Sequence, residues 1–116
     1  MTYTVHLYHA DVGTLAAEGH DPDAIDHPPL EAADVARLLE RLPAHGYAPV
    51  AGPAGARHYA RTLDGATITV LVAPTQVMLA TDGGAAIVAE MLQEAAELSD
   101  GEDTVLHDPQ TDTWLE

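Results

Sequence analysis

The sequence predicts an α+β fold, a two-layer sandwich with two helices on one face of a mostly antiparallel sheet. Three observations predict it. Residues 30–42 and 85–98 each place apolar side chains on one stripe at helical spacing. Short runs around them alternate apolar and polar residues with the period of a strand. An Asp-Gly pair at 64–65 joins two of those runs, and Asp-Gly is a strong signal for a tight hairpin because both turn positions need positive φ. Two helices with one apolar stripe apiece can both cover the same sheet face. The element order is β-α-β-β-β-α-β with one extra strand allowed. By length the 116 residues make one domain, 1–116.

Residues 2–9 alternate, with Tyr3, Val5 and Leu7 on one side and Thr4, His6 and Tyr8 on the other. An acidic connection follows over residues 10–29, with one short helical turn near 14–18. Such a length is unusual for a loop in a compact domain. The helix over 30–42 carries Val35, Leu38, Leu39 and Leu42 on its apolar stripe and Asp34, Arg37, Glu40 and Arg41 opposite. Pro43 and Gly46 close it. Strand-like runs then occupy 47–51, 58–63, 66–72 and 75–80. The helix over 85–98 buries Ile87, Met91 and Leu98 and carries Glu90, Glu94 and Glu97 as a separate acidic stripe. A strand at 104–107, a turn at Asp108-Pro109-Gln110-Thr111 and a stub at 113–115 end the chain.

Charge is the most unusual property. Nineteen Asp and Glu stand against four Arg and no Lys, a formal net charge of −15. Residues 11–40 hold eight acids and one Arg, residues 82–116 ten acids and no base, and residues 41–81 three Arg and one acid. Such a chain repels phosphate backbones and anionic lipids and attracts basic proteins. Neither nucleic acid nor a membrane is an expected partner. There is no Cys, so disulfides and thiolate chemistry are excluded. The first residues lack the basic start and apolar run of a signal peptide, and the expected location is the cytoplasm.

Val105-Leu106-His107-Asp108-Pro109-Gln110-Thr111 follows an acidic helix, and Leu42-Pro43-Ala44-His45-Gly46-Tyr47 ends the earlier one. In these features the chain resembles uncharacterised small bacterial α+β proteins that end in a strand and an Asp-Pro-Gln turn. Some of those resemble immunity proteins that guard against secreted toxins. The resemblance implies no catalytic residues.

Catalytic signals are weak. Ser99 is the only Ser and has no motif around it. Asp82-Gly83-Gly84 lacks the phosphate-loop signature. His20, Asp21, Asp23, Asp26 and His27 share one loop, with His6, His9 and Asp11 just before it, and imidazole with carboxylate suits zinc, nickel or manganese. Their spacings match no metal motif, so no metal or cofactor is assigned. Arg57, Tyr59 and Arg61 share one face of a strand, where they either hold an anion or balance helix acids. The expected function is therefore that of an acidic, non-enzymatic inhibitor of the immunity type. It would bind a basic protein, a toxin or enzyme acting on nucleic acid, through Asp11, Glu18, Asp21, Asp23 and Asp26, helped by Glu90, Glu94 and Glu97. The alternatives are a globular protein whose acidity reflects a salty habitat and a small His/Asp metal enzyme.

Overall fold

The computed structural model describes residues 2–19, 28–52, 55–100, 104–111 and 113–115. Strand β1 (Tyr3–His9) runs directly into helix α1 (Ala10–Ala17). Then come α2 (Ala32–Ala44), β2 (Ala48–Val50), β3 (Arg57–Leu63), β4 (Ala66–Val72), β5 (Gln76–Thr81), α3 (Ala85–Leu98), β6 (Thr104–Asp108) and β7 (Thr113–Leu115). The seven strands form one sheet in the order β2-β3-β4-β5-β1-β6-β7, and every neighbouring pair is antiparallel. The class is α+β as expected. The element order differs in its helices, because α1 follows β1 at once, whereas the four strands between α2 and α3 fall at the four strand-like runs of 47–51, 58–63, 66–72 and 75–80.

The pleat sorts the strand residues into two faces. Val5 and Leu7 of β1 lie across from Leu79 and Val77 of β5, which continue to Val70 and Val72 of β4. These residues join Leu38 and Leu42 of α2 and Ile87, Met91 and Leu98 of α3 in the main core. Val35 and Leu39 are only half-buried against it, so the buried stripe of α2 is narrower than its sequence implies. Asp34 lies on the buried side and not with the solvated residues, held by Arg37 one turn later.

Helix α1 corrects both the single helical turn expected near 14–18 and the placement of all helices on one face. It begins four residues earlier because the His9 imidazole acts as its cap, accepting the Asp11 N–H at 3.1 Å. Val12 packs with Tyr8 and Val105, residues of opposite pleat to Leu7 and Leu106, so α1 lies on the face away from α2 and α3. Gly13 permits that approach, since a Cβ there would sit 3.1 Å from Val105 Cγ1.

The end of α2 follows from its sequence. Pro43 falls in the last turn, and the helix closes with Gly46 N–H on Pro43 C=O and Tyr47 N–H on Leu42 C=O, both at 3.0 Å. This paired closure needs a left-handed residue, and Gly46 has φ of 90°. It turns Tyr47 back into the core, where 3% of its surface is exposed. The Asp64-Gly65 hairpin has φ of 50° and 80°, the signs its two-residue turn requires. No helix among the described residues is long and apolar enough to cross a membrane.

Candidate functional site

Both ends of the acidic surface expected from sequence are only partly assembled. Asp11 and Glu18 are exposed on α1 and its C-terminal cap. Asp21, Asp23, Asp26, His20 and His27 lie outside the described residues. Glu90 is half-buried and Glu97 exposed on α3, whereas Glu94 is buried, with 3% of its surface accessible. Because α1 and α3 lie on opposite faces of the sheet, their acids form two patches and not one continuous surface.

Glu94 is the clear correction to the candidate set. It sits one turn from Met91 and Leu98 on the core side of α3, where it accepts the Tyr47 hydroxyl and pairs with the Arg61 guanidinium. Arg61 reaches it because the pleat of β3 aims Arg57, Tyr59 and Arg61 toward the helices. For Arg61 the reading as a counterweight to helix acids holds. Burial pushes the Tyr47 hydroxyl up to about 12, against the opposing pull of the Arg61 charge and with a small upward contribution from Glu90.

The other arginines are engaged within the fold or beside it. Arg37 pairs with buried Asp34. Arg41 donates to the carbonyls of Leu98 and Asp100 at 2.9 and 2.8 Å, neutralising the C-terminal end of α3. Arg57 is exposed at a groove of about 360 Å³ bordered by Val35, Leu39 and Pro74. Three of the four positive side chains therefore serve internal acids or carbonyls, and the exposed carboxylates are left with little compensation.

His9 organises the acids on the α1 side. In the neutral ring its Nδ1 accepts the Asp11 N–H, which places the proton on Nε2, 3.3 Å from Glu31 Oε1. The ring is 7% exposed while both carboxylates stand in solvent, so a buried imidazole joins the start of α1 to the start of α2. Glu31 was not among the sequence candidates. Its only sequence signal is its place just before α2, where a carboxylate suits the helix dipole.

At the opposite end of β1 the Asp-Pro-Gln segment is a clasp. Asp108 accepts the Gln110 N–H at 3.0 Å, closing the turn. The Gln110 side chain accepts the Thr4 N–H at 3.0 Å and donates to the Thr4 C=O at 2.6 Å, extending the β1–β6 ladder beyond its last backbone pair. Tyr3 donates its hydroxyl to Asp108. Burial pushes the Asp108 carboxyl up, but the hydrogen bonds from Tyr3, Gln110 and Thr111 outweigh it and leave the group below its ordinary value. The same hydrogen bond raises the Tyr3 hydroxyl, with burial and the Asp108 charge adding to it.

No cluster of three or more His, Asp and Glu suited to a metal ion occurs among the described residues. The chain matches no family model, no curated protein and no solved structure.

Proposed function

We propose that this chain is an immunity-type binding protein that neutralises a basic protein, a toxin or enzyme acting on nucleic acid. The observation that carries the reading is the internal engagement of Arg37, Arg41 and Arg61, which leaves exposed carboxylates to set the field outside the molecule. The contact surface is centred on Asp11, Glu18 and Glu31, and the sequence candidates Asp21, Asp23 and Asp26, which fall between Glu18 and Glu31 in the chain, are kept with them. Glu94 takes no part in it, because a buried carboxylate already paired with Arg61 is not offered to a partner. Glu90 and Glu97 belong to a second patch on the far face. The Asp108-Pro109-Gln110 ending and the exit of α2 at Pro43-Ala44-His45-Gly46 resemble those of uncharacterised small bacterial α+β proteins, some of which resemble toxin-guarding immunity proteins.

The physical role of such a surface is fast, selective encounter. An uncompensated acidic field steers a basic partner toward the surface and rejects acidic ones. Dense like charge weakens the fold by self-repulsion, and a tight inhibitor tolerates that penalty. Association kinetics with the partner captured from the host test the reading. Neutralising Asp11, Glu18 and Glu31 together should slow association about tenfold or more, with little change in dissociation, because charge acts mainly on the encounter. An affinity that is the same in low and high salt overturns the proposal and assigns the acidity to habitat.

A further inference from the structure

Of the four arginines, Arg57 alone has no carboxylate or carbonyl partner among the described residues. It is exposed at the start of β3, directly across the ladder from Val72. There it borders the groove of about 360 Å³, walled by Val35 and Leu39 of α2 on one side and by Val72, Ala73 and Pro74 on the other. None of the described residues lining this groove is acidic. Asp34, next to Val35, is held by Arg37. Asp64, the one acid of residues 41–81, follows the far end of β3, about 23 Å away along a seven-residue strand. The screening length at physiological salt is only about 8 Å. In a chain of charge −15, a guanidinium without a partner at the lip of an acid-free apolar groove calls for an explanation.

We infer that this groove binds a small amphipathic carboxylate, with its one carboxylate on Arg57 and its apolar tail against Val35, Leu39 and Val72. Charge selects the head group. A guanidinium presents a planar fork that matches the two oxygens of a carboxylate. With a single cation to meet it and the field of the whole chain against it, a monoanion is repelled least. A phosphate monoester, carrying close to two charges, meets about twice the repulsion for the same one partner. Packing selects the tail. Val35 and Leu39 belong to the apolar stripe of α2 yet keep part of their surface in water. A hydrocarbon tail laid along them completes the burial of that stripe. Size selects a small molecule, since the volume lies near the bottom of the range of about 300–1,000 Å³ usual for ligand pockets.

A second groove supplies the internal comparison. It measures about 590 Å³ and is bordered by Tyr3, Val88, Leu92 and Gln110. It is the larger of the two, but no arginine lines it, and Asp82 adjoins its Gly83. A tail alone would favour this larger groove, whereas a carboxylate favours the one at Arg57. The open shape of the site and the charge of the chain keep the affinity modest, about 0.1–1 mM for an eight-carbon acid.

Titration of the ¹⁵N-labelled chain with butanoate, hexanoate and octanoate, up to about 10 mM, tests the inference by amide chemical shifts. The expected result is saturable shifts at Leu39, Arg57 and Ala73, with affinity rising about two- to fourfold for each added methylene. Octanol, the same tail without the charge, should bind about tenfold more weakly than octanoate. Arg57→Gln should weaken octanoate about tenfold, and Arg57→Lys, which keeps the charge but not the fork, should recover part of that loss. Because Arg57 is exposed and pairs with no described residue, both variants should unfold at the temperature of the wild type. Leu39→Gln should blunt the dependence on tail length. The absence of shifts at about 10 mM octanoate overturns the inference. Shifts confined to Val88 and Leu92 overturn it too, because the tail then chooses the groove without a cation. Octanoate held as tightly by Arg57→Gln as by the wild type does the same, since the guanidinium then has no part in binding.

Discussion

Arg61, Glu94 and Asp108 are buried or half-buried on the helix-covered face of the sheet, while the other face of the same strands carries imidazoles, hydroxyls and aliphatics but no carboxylate or guanidinium. A naive reading of burial would assign charge to the open side and hydrocarbon to the covered one. The strands do otherwise because a covered charge can be paired. Tyr47 from the α2 exit, Arg61 from β3 and Glu94 from α3 converge from three elements, so each satisfies the others. Among the described residues, the helix that packs on the other face is α1, over Tyr8 and Val105. The difference teaches that the covered face uses charge for internal registration, whereas the open face keeps it out.

The sharpest way to break this comparison is to remove one member of the buried group. Arg61→Met leaves the Glu94 carboxylate buried without its cation and should cost about 3–5 kcal/mol in urea unfolding. Combining it with Glu94→Leu should recover most of that loss, since two apolar side chains leave no uncompensated charge. A double variant as unstable as the single one would show that the pair's worth lies in geometry and not in charge balance.

Truncations of α2 sharpen the boundary of the covered core. Leu38→Ala should cost about 2–5 kcal/mol, as expected for a side chain only 1% exposed. Leu39→Ala should cost clearly less, because Leu39 keeps part of its surface in water. Equal losses in thermal unfolding would restore the wider stripe that the sequence implied.

That stripe shows how far sequence carries. Periodicity located α2 and α3 to within two residues, and the Asp-Gly pair located the β3–β4 hairpin, because both signals are local. Glu94 was misplaced for the opposite reason. At i, i+4 from Glu90 it reads as a member of an acidic stripe, and only the distant Arg61 and Tyr47 make its burial tolerable. Helix α1 was hidden because its start depends on a His side chain, an uncommon cap, and on Val105 nearly a hundred residues away. Glu31 escaped for lack of any sequence pattern linking it to His9, twenty-two positions earlier.

Proton linkage gives a second reading of the covered face. The Tyr47 hydroxyl lies at about 12 in the folded protein against 10.0 ordinarily, so the native state favours its protonated form. Its contribution is complete below pH 10 and is lost as pH rises from 10 toward 12. Asp108, held below its ordinary 3.8, behaves in reverse: its contribution is present above that value and is lost as pH falls through the lower folded value. Wild-type chain should therefore lose stability in the alkaline window, and Tyr47→Phe should flatten that loss. An identical alkaline limb in the variant would assign the transition to other groups.

The Gln110 clasp should matter less, since its target lies at the exposed end of β1. Gln110→Ala removes both bonds to the Thr4 backbone and should cost about 1–2 kcal/mol, with faster amide exchange at Thr4. Exchange unchanged at Thr4 would mean that water replaces the side chain at no loss.

The smallest effect belongs to the open face, and it tests whether the fold itself needs that face free of charge. Thr69 projects from β4 into solvent, beside Ala60 and Ala80, with no charged strand residue on that face to repel or attract a newcomer. Thr69→Glu in dilute protein should shift unfolding by under about 1 kcal/mol, the span of strand propensity, because no core contact is lost. The monomer is thus nearly indifferent to a carboxylate there, although the sequence, so rich in carboxylates, places none among the strand residues of that face. A loss of several kcal/mol in the dilute monomer would show that the face is uncharged for the sake of its own stability. A small loss leaves the exclusion of charge from these strand positions unexplained by folding.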